Sequence, residues 1–447
     1  MYRIALISEH ASPLAVLGGT DSGGQNVYVA EIAVHLARMG YEIDIFTRRD
    51  ATRLPDVVIC SPHVRVIHVC AGPAEHMAKE SLLPYMDDFA AEVIRFMRKS
   101  PRIYDLVHAN FFMSGYVAIA VKRALSIPFV VTFHALGKVR RQHQGSNDRF
   151  PPERCRIEKE VMDEAEAIIA ECPQDKTDMM VMYEVDARKI VVIPCGVNPN
   201  EFYPVPKREA CARIGVKPQE RIVLQLGRWV PRKGIETAIR GFSELLRMHQ
   251  IKARLLIVGG DAPSPDPQLT PEFKRLQIIA NECGITDSVT FVGARPRHEL
   301  KYYYSAADAF ISTPWYEPFG ITPIEAMACG TPVIGSNVGG IKHTVVEGKT
   351  GFLIPPRDHT LVGAKLARLF QDGELSERMA GNCVARVIEH FTWGKVSAGI
   401  ATLYKRVMPG RMHFPRSHMA ANVLQRRSWP DDLLDIEAHE KNRHISG

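Results

Sequence analysis

The sequence predicts an α/β fold made of two doubly wound parallel sheets. Its 447 residues suffice for two domains of about 100–200 residues each. Short apolar, β-branched segments alternate with helical segments, which is typical of βαβ units and of parallel sheets covered on both faces. The alternation stops once, in a proline-rich stretch at 196–217, and then starts again. We therefore place a domain boundary near residue 197.

The first half contains the strands and the helix of one such domain. Predicted strands cover 2–8, 42–47, 64–69, 106–109, 129–133, 167–170 and 190–193. A helix covers 25–39 and ends before Gly40, a common stop signal.

The second half repeats the pattern. Predicted strands cover 222–226, 254–258, 289–292, 309–312, 331–335 and 351–354, and predicted helices cover 234–249, 271–283 and 324–328. Two doubly wound domains facing each other form a cleft at the carboxyl ends of both sheets. Ligands bind at such ends, so the motifs that follow strands are the candidate site.

Composition narrows the class of protein. No apolar run approaches the roughly 18 residues that cross a bilayer. The nine cysteines are scattered singly, without a CxxC pair or a preceding signal peptide, which favours reduced thiols in the cytoplasm over disulfides or zinc. The net charge of +6 identifies no partner by itself.

A glycine-rich segment, GGTDSGGQN at 18–26, follows the first strand and precedes a helix. Backbone N–H groups and the positive helix end favour an anion there. The spacing GGxxxGG is not the GxGxxG fingerprint of nicotinamide-binding folds. A plain connecting loop explains the glycines about equally well.

A second segment, LGRWVPRKG at 226–234, ends the first strand of the second domain. Arg228 and Lys233 flank a turn, so both cations can converge on one diphosphate. Exposed surface cations are the alternative, and the position at a strand end favours the ligand.

A third segment, EPFGITPIEAMACG at 317–330, opens a helix. Gly320 lets the backbone approach a phosphate, and the amides of Gly320, Ile321 and Thr322 lie at the helix start. Glu325 is placed to accept hydrogen bonds from ribose hydroxyls. The alternative is a carboxylate that only stabilises the first helical turns, by about 0.5–1 kcal/mol.

Four further positions follow strands or begin helices in the first domain. His134 follows a strand and fits a structural histidine as well as a functional one. Lys79, Lys138 and Arg154, each taken alone, fit solvated charges.

Together these segments resemble the retaining glycosyltransferases of family 4. The resemblance is carried by GGxxxGG, GRxxxxKG at 227–234, the E-x7-E of 317–325 within EPFGxxxxEAMACGTPV, and FTW at 391–393, and it covers residues 1 to about 408. It implies a GT-B fold with an acceptor-binding domain at 1–197, a donor-binding domain at 198–390 and a helix at 391–410 that crosses back. Residues 411–447 remain a polar tail.

The resemblance also implies roles. The catalytic group is His134, Arg228, Lys233 and Glu317: the two cations hold the donor diphosphate, and the other two residues lie beside the transferred sugar. The residues that contact the donor are Gly24, Arg228, Lys233, Gly320, Ile321, Thr322 and Glu325.

The acceptor side is most similar to sucrose-phosphate synthases and to the inositol-phosphate glycosyltransferases of the mycothiol pathway. Matching positions for an acceptor and its phosphate are Gln25, Asn26, Lys79 and Arg154. Phe111 and Ala135 stand where those enzymes have a hydroxyl-bearing aromatic residue and a threonine, and neither donates a hydrogen bond. Inositol phosphate itself is therefore in doubt.

The expected reaction moves a hexosyl group from a nucleotide diphosphate sugar, UDP-linked by resemblance, to a hydroxyl of a small sugar or cyclitol, phosphorylated or not, with retention. A nucleotide-sugar epimerase and a catalytically silent sugar-nucleotide-binding protein are the alternatives. We expect no cofactor, no metal and no transmembrane segment. Nucleic acid is not expected, because the basic residues follow strand ends instead of one face. A homodimer is left open.

Overall fold

The computed structural model describes residues 1–15 and 23–408 and confirms the predicted fold class. Each of its two domains is a parallel α/β sheet between layers of helices. Gly18 and Gly19 of the GGxxxGG segment and the predicted tail at 411–447 lie outside the described residues.

The first domain is built on one sheet, which has eight strands in the described part of the chain. The strands are β1 Arg3–Ile7, β2 Glu42–Arg48, β3 Val57–Ser61, β4 Val64–Val69, β5 Leu106–Asn110, β6 Phe129–Thr132, β7 Ala167–Ala170 and β8 Ile190–Val192. Their order is β3-β4-β2-β1-β5-β6-β7-β8, and β3 pairs antiparallel with β4. The helices are α1 Gly24–Arg38, α2 Met86–Lys99, α3 Phe112–Leu125, α4 Gly137–Gln144, α5 Arg154–Glu164 and α6 Pro173–Tyr183.

The second domain has a six-stranded, all-parallel sheet in the described residues. Its strands are β9 Ile222–Gly227, β10 Arg254–Gly259, β11 Val289–Gly293, β12 Ala309–Ser312, β13 Val333–Ser336 and β14 Gly351–Ile354, in the order β11-β10-β9-β12-β13-β14. The helices are α7 Lys207–Ile214, α8 Ile235–Arg247, α9 Pro271–Glu282, α10 Arg297–Ala306, α11 Ile321–Ala328, α12 Ile341–Thr344, α13 His359–Gln371, α14 Gly373–His390 and α15 Trp393–Val407.

Two differences from the sequence prediction have physical causes. The predicted strands omit β3, an edge strand whose Val57 and Ile59 are exposed, so its short apolar run has no buried pattern to mark it. The helix predicted at 324–328 begins earlier, at Ile321, because Gly320 adopts a positive φ of 91° at its N-terminus.

Strand order sets the position of the cleft. β1 lies between β2 and β5, and β9 lies between β10 and β12, so the order reverses at these two strands. The loops that leave the carboxyl ends on either side of such a point diverge and leave a crevice. The crevice is therefore bordered by Gly23 and Gly24 before α1, the turn after β9 and the loop after β12.

The chain crosses between the domains twice. The predicted boundary near residue 197 falls between β8 and β9, and α15 returns and packs on α1. Val197 and Thr392 form a parallel bridge, and the Val197 N–H donates to the Phe391 carbonyl at 2.7 Å. The two crossings therefore lie side by side.

Buried aromatic and polar contacts fix α15 on the first domain. The Trp393 side chain is fully buried with its ring edge-on to Tyr28, at 5.8 Å between centroids. The Tyr404 hydroxyl lies 2.7 Å from His108 Nδ1, and burial lowers the pKa of His108 to about 3, so that imidazole is neutral. No helix among residues 1–15 and 23–408 has the length and apolarity to cross a membrane.

Candidate active site

The loop before α1 meets the second domain at Gly24. A Cβ at Gly24 would lie 3.2 Å from Cδ1 of Ile321, the first residue of α11. Gly24 and Ile321, both expected at the donor, therefore face each other across the cleft. A Cβ at position 24 would make a tight contact that the Ile321 side chain must relieve by shifting.

Gln25 and Asn26 stabilise this loop through their own hydrogen bonds. The Gly23 N–H donates to Asn26 Oδ1 at 2.9 Å, and Asn26 Nδ2 donates to the Ser12 carbonyl at 2.8 Å. Asn26 is 3% exposed. Gln25 Nε2 lies 3.2 Å from both Ser8 Oγ and the Asn110 carbonyl. The structure thus gives both side chains a loop-stabilising role in addition to the acceptor role expected from the sequence.

Three cations of the turn after β9 surround Glu317. Lys233 Nζ donates to Glu317 Oε2, and Arg232 Nη1 lies 3.8 Å from the same oxygen. Arg228 is close enough to influence the charge of both Lys233 and Glu317. The structure therefore brings Arg228, Lys233 and Glu317 together, and it adds Arg232.

Burial and charge shift both members of the central pair. Burial lowers the pKa of Lys233 to about 8, although Glu317 opposes the shift. Burial also disfavours the Glu317 carboxylate, but Lys233, Arg232 and Arg228 outweigh it and hold the pKa of Glu317 below its usual value. Glu317 is therefore ionised at neutral pH and a weak proton acceptor.

Arg232 lies in the segment LGRWVPRKG, but the sequence does not predict a functional role for it. The basic pair of Arg232 and Lys233 is visible there, but two adjacent side chains in a chain usually point in different directions. Residues 231–233 form a single 3-10 turn, which lets Arg232 and Lys233 approach one carboxylate.

The N-terminus of α11 provides the expected backbone donors. Gly320 precedes the helix, and Ile321 and Thr322 are its first two residues, so their N–H groups have no partner within the helix. An anion is favoured at such an end. Gly320 also packs tightly: a Cβ there would lie 3.1 Å from Ile341 Cγ1.

Glu325 is more deeply buried than the sequence suggested. It is 2% exposed, Arg297 Nη1 donates to its Oε1 at 2.8 Å, and the Tyr304 hydroxyl donates to its Oε2 at 3.0 Å. Each oxygen retains a lone pair for a ribose hydroxyl. Arg297 and Tyr304, which the sequence reasoning missed, hold the carboxylate in place, and only their long-range contact reveals them.

His134 has a strained backbone and a buried acidic neighbour. Its φ is 59°, uncommon for a residue with a side chain, and such strain concentrates at functional sites. Nδ1 lies 2.9 Å from Glu171 Oε1, and Nε2 lies 3.2 Å from Asn110 Oδ1. Glu171 also accepts from the Cys195 thiol at 3.0 Å. The ring is fixed from both sides, and Glu171 is a second residue that the sequence did not mark.

Arg154 is buried instead of solvated. Its side chain is 1% exposed, with Nε 2.8 Å from Glu158 Oε1 and Nη2 2.7 Å from the Ala135 carbonyl. The guanidinium lies over the rings of Phe111, Phe112 and Phe150. Nη1 is buried without a hydrogen-bond partner, which is costly unless a ligand supplies one.

Lys79 lies in a short 3-10 turn before α2. Its neighbour Glu80 lies 3.5 Å from Arg140 of α4. Within the described residues, no group of three His, Cys, Asp or Glu side chains is arranged to hold a metal ion.

Comparison with known proteins assigns this arrangement to a family. Residues 22–201 match the model Glycosyltransferase Family 4, and residues 207–383 match Glycosyl transferases group 1. The D-inositol 3-phosphate glycosyltransferase of Corynebacterium efficiens is 36% identical over 407 residues, or 90% of this chain and 95% of that protein. The chain is a family 4 glycosyltransferase. The enzyme of the same name from Nocardia farcinica is also 36% identical, over 91% of this chain and 90% of its own.

Solved structures agree with this glycosyltransferase fold. Sucrose-phosphate synthase from Thermosynechococcus elongatus superposes with a TM-score of 0.83 at 34% identity, covering 91% of this chain and 99% of its own. Anabaena HepE in complex with UDP has a TM-score of 0.72 at 21% identity, covering 91% of this chain and 100% of its own, and shows the GT-B fold alone.

Proposed function

We propose that this glycosyltransferase moves a hexosyl group from a UDP-linked sugar to a hydroxyl of a phosphorylated sugar or cyclitol, with retention and without a bound metal ion. The observation that carries the proposal is the convergence of Arg228, Arg232 and Lys233 on Glu317 beside the N-terminus of α11. Three cations and a helix N-terminus form a site for a diphosphate.

The leaving group explains why the cations matter. As the bond from the anomeric carbon to the diphosphate breaks, negative charge grows on the diphosphate, and positioned cations stabilise that charge most in the transition state. Three side-chain cations supply the charge that a metal ion supplies in other enzymes. Removal of metal ions is therefore expected to leave the activity intact.

The state of Glu317 supports retention. Its low pKa and its pairing with Lys233 make it a poor base. In the proposed step, the acceptor oxygen bonds to the anomeric carbon on the face that the diphosphate leaves, and the acceptor proton passes to a diphosphate oxygen. Glu317 then orients the sugar and Lys233.

We assign the proposed acceptor phosphate to Arg154 of the first domain. Arg154 Nη1 is buried and lacks a partner, and a phosphate oxygen would satisfy it. The relatives named for D-inositol 3-phosphate and the structure named sucrose-phosphate synthase support a phosphorylated acceptor. HepE structures with UDP and with UDP-glucose support a UDP-linked donor.

A screen tests the reaction itself. UDP-, ADP- and GDP-sugars are incubated with sugar phosphates and inositol phosphates, with and without EDTA, and the products are identified by mass spectrometry and NMR. We expect an α-linked product from an α-linked UDP-sugar, and unchanged rates in EDTA. Inversion, loss of activity in EDTA, or interconversion of the donor without an acceptor would contradict the proposal.

Lys79 provides a cleaner test of the acceptor phosphate than Arg154. Replacing Arg154 by alanine removes the cationic partner of the buried Glu158, which then keeps the Gly137 N–H and the Tyr183 hydroxyl as donors, so this change also destabilises the fold. Lys79→Ala should raise KM for a phosphorylated acceptor about tenfold or more, because it removes one phosphate contact, while KM for the unphosphorylated acceptor stays within twofold. Lys99→Ala, an exposed lysine at the end of α2, is the matched control. Equal changes in the KM values for the phosphorylated and the unphosphorylated acceptor would show that Lys79 does not bind the phosphate.

A further inference from the structure

A cavity of about 260 Å³ lies between the two domains. Its walls come from α4 and α6 of the first domain and from residues 315–318 and 337–339 of the second. The described residues that line it include none of the proposed acceptor ligands, which are Gln25, Asn26, Lys79 and Arg154. The cavity is therefore separate from these four side chains.

The cavity connects the two halves of the proposed reaction. Ala135 lines it, and the Ala135 carbonyl accepts from Arg154 Nη2 at 2.7 Å. Glu317 also lines it and is paired with Lys233 of the donor site. An acceptor whose phosphate is at Arg154 and whose reactive hydroxyl is at the transferred sugar could place a further part of its structure in this cavity.

The side chains that line the cavity offer little attraction for an anion. Asp175, Asp178 and Glu317 line it, whereas its lining ammonium, Lys342, already donates to Gln174 Oε1. Burial raises the pKa of Asp175 and of Asp178, which favours their neutral forms. The site therefore fits an uncharged group.

The remaining walls fit a polyhydroxylated ring. Gln142 and Asn337 carry amides that both donate and accept hydrogen bonds, as sugar hydroxyls do, whereas the Gln174 amide already bonds Lys342 and Asp178. Trp315 adds an aromatic surface, held by Arg357 at 4.3 Å from its ring. Aromatic rings match the C–H faces of a pyranose, and amides match its edge. The volume lies below the roughly 300–1,000 Å³ of pockets for drug-sized ligands, so it suits one ring.

We propose that this cavity binds a neutral hexosyl unit of the acceptor, next to the unit that carries the phosphate. The acceptor is then a glycosylated sugar phosphate or cyclitol phosphate, larger than a single phosphorylated ring. This inference rests on the proposed function, because it takes Arg154 as the phosphate ligand.

Matched ligands test the subsite. Glucose 6-phosphate and trehalose 6-phosphate differ by one neutral glucosyl unit. We expect trehalose 6-phosphate to bind at least tenfold more tightly in titration calorimetry with UDP present. Trp315→Ala in the second domain and Gln142→Ala in the first should each remove most of that preference, and Trp315→Phe should retain it. Melting temperatures establish that the variants fold.

The outcomes separate the two proposals. Equal affinity for the two phosphates, or variants that weaken both ligands alike, would overturn the subsite, while transfer to any phosphorylated acceptor would leave the proposed function standing. If neither phosphate binds and no phosphorylated acceptor is glycosylated in the screen, the phosphate site and the subsite both fail.

Discussion

The pairing of Lys233 with Glu317 places a titratable ammonium where the donor diphosphate is proposed to bind. Because burial lowers the pKa of Lys233 to about 8, a fraction of the free enzyme loses this charge just above neutral pH. An arriving diphosphate favours the protonated form and restores it. The charge of one side chain thus links donor affinity to pH.

The consequence for kinetics is a loss of kcat/KM for the donor as pH rises through about 8, since kcat/KM reports the free enzyme. Lys233→Arg keeps its charge and should move this loss to higher pH, beyond the range in which a lysine titrates. Lys233→Ala should lower kcat by about 10²–10³. The variant should still fold, because Arg232 and Arg228 remain beside Glu317, and its melting temperature checks this. A basic limb that stays near pH 8 in Lys233→Arg would show that another group is responsible.

At the residue scale, the sequence predicts the residues that stand in a distinctive motif. Arg228 and Lys233 lie in the turn after β9 and Glu317 lies in the loop after β12, and each of these segments follows a strand end. Arg297 and Glu171 reach their partners only through the fold: Arg297 to Glu325, and Glu171 to His134. Their types occur on any helix or strand end, so nothing local distinguishes them.

The element that positions the cations is the turn between β9 and α8. Gly234 has a φ of 65°, and a Cβ there would lie 1.9 Å from the Thr313 carbonyl oxygen, which follows β12. Thr313 Oγ1 donates to the Gly234 carbonyl at 2.8 Å. The turn that carries Lys233 is thereby fixed to the loop that leads to Glu317.

Gly234→Ala should therefore destabilise the protein more than a comparable glycine does. Gly215 has a φ of 74° with no atom near its Cβ position, so Gly215→Ala should cost only the conformational strain, about 1–2 kcal/mol. Gly234→Ala should lose a further ~1–3 kcal/mol through steric overlap, and donor affinity with it. Urea unfolding of both variants measures the difference. Equal losses would show that Thr313 moves aside without cost.

Elements were predictable where burial gave a clear pattern. The fully buried β1 and β7 have continuous apolar runs and were found close to their true bounds. β3 is half exposed, and α11 follows a glycine whose positive φ cannot be read from hydrophobicity. The order of the strands determines where the cleft lies, and it could not be predicted from local sequence patterns because it depends on the whole fold.

For the whole molecule, one charge cluster joins both domains and the segment between them. Arg297 of α10 contacts Glu325 of α11 and Glu201 of the connecting segment, and it lies near Glu31 of α1. Three carboxylates share one guanidinium. Burial first, and Glu201 in addition, raise the pKa of Glu31 to about 7, although Arg297, Arg38 and Asn198 oppose the shift.

This cluster predicts a pH dependence of stability. The folded pKa of Glu31 lies above its usual 4.5, so the folded state binds more protons between pH 4.5 and about 7, and stability falls as pH rises through that window. This pKa shift corresponds to a change of at most about 3 kcal/mol in the free energy of unfolding. The actual change should be smaller, because the Glu31 side chain is 17% exposed and solvent screens its charge.

Glu31→Gln should remove this dependence. The difference in free energy of unfolding, variant minus wild type, should rise between pH 4.5 and 7. Above pH 7 it should be constant, about 1–3 kcal/mol larger than its value below pH 4.5. Glu374→Gln, an exposed glutamate on α14, is the control and should show no such change. Denaturant unfolding across that range measures both. A constant difference between wild type and Glu31→Gln would contradict the assignment.

The bridge between Val197 and Thr392 determines how the cleft can open. Sliding one domain over the other, or twisting them about the long axis, would break the hydrogen bonds that join the two crossings. Rotation about the short line through both crossings preserves them. A rotation about this line is therefore the opening movement that keeps both crossings intact, and it would carry Gly24 away from Ile321.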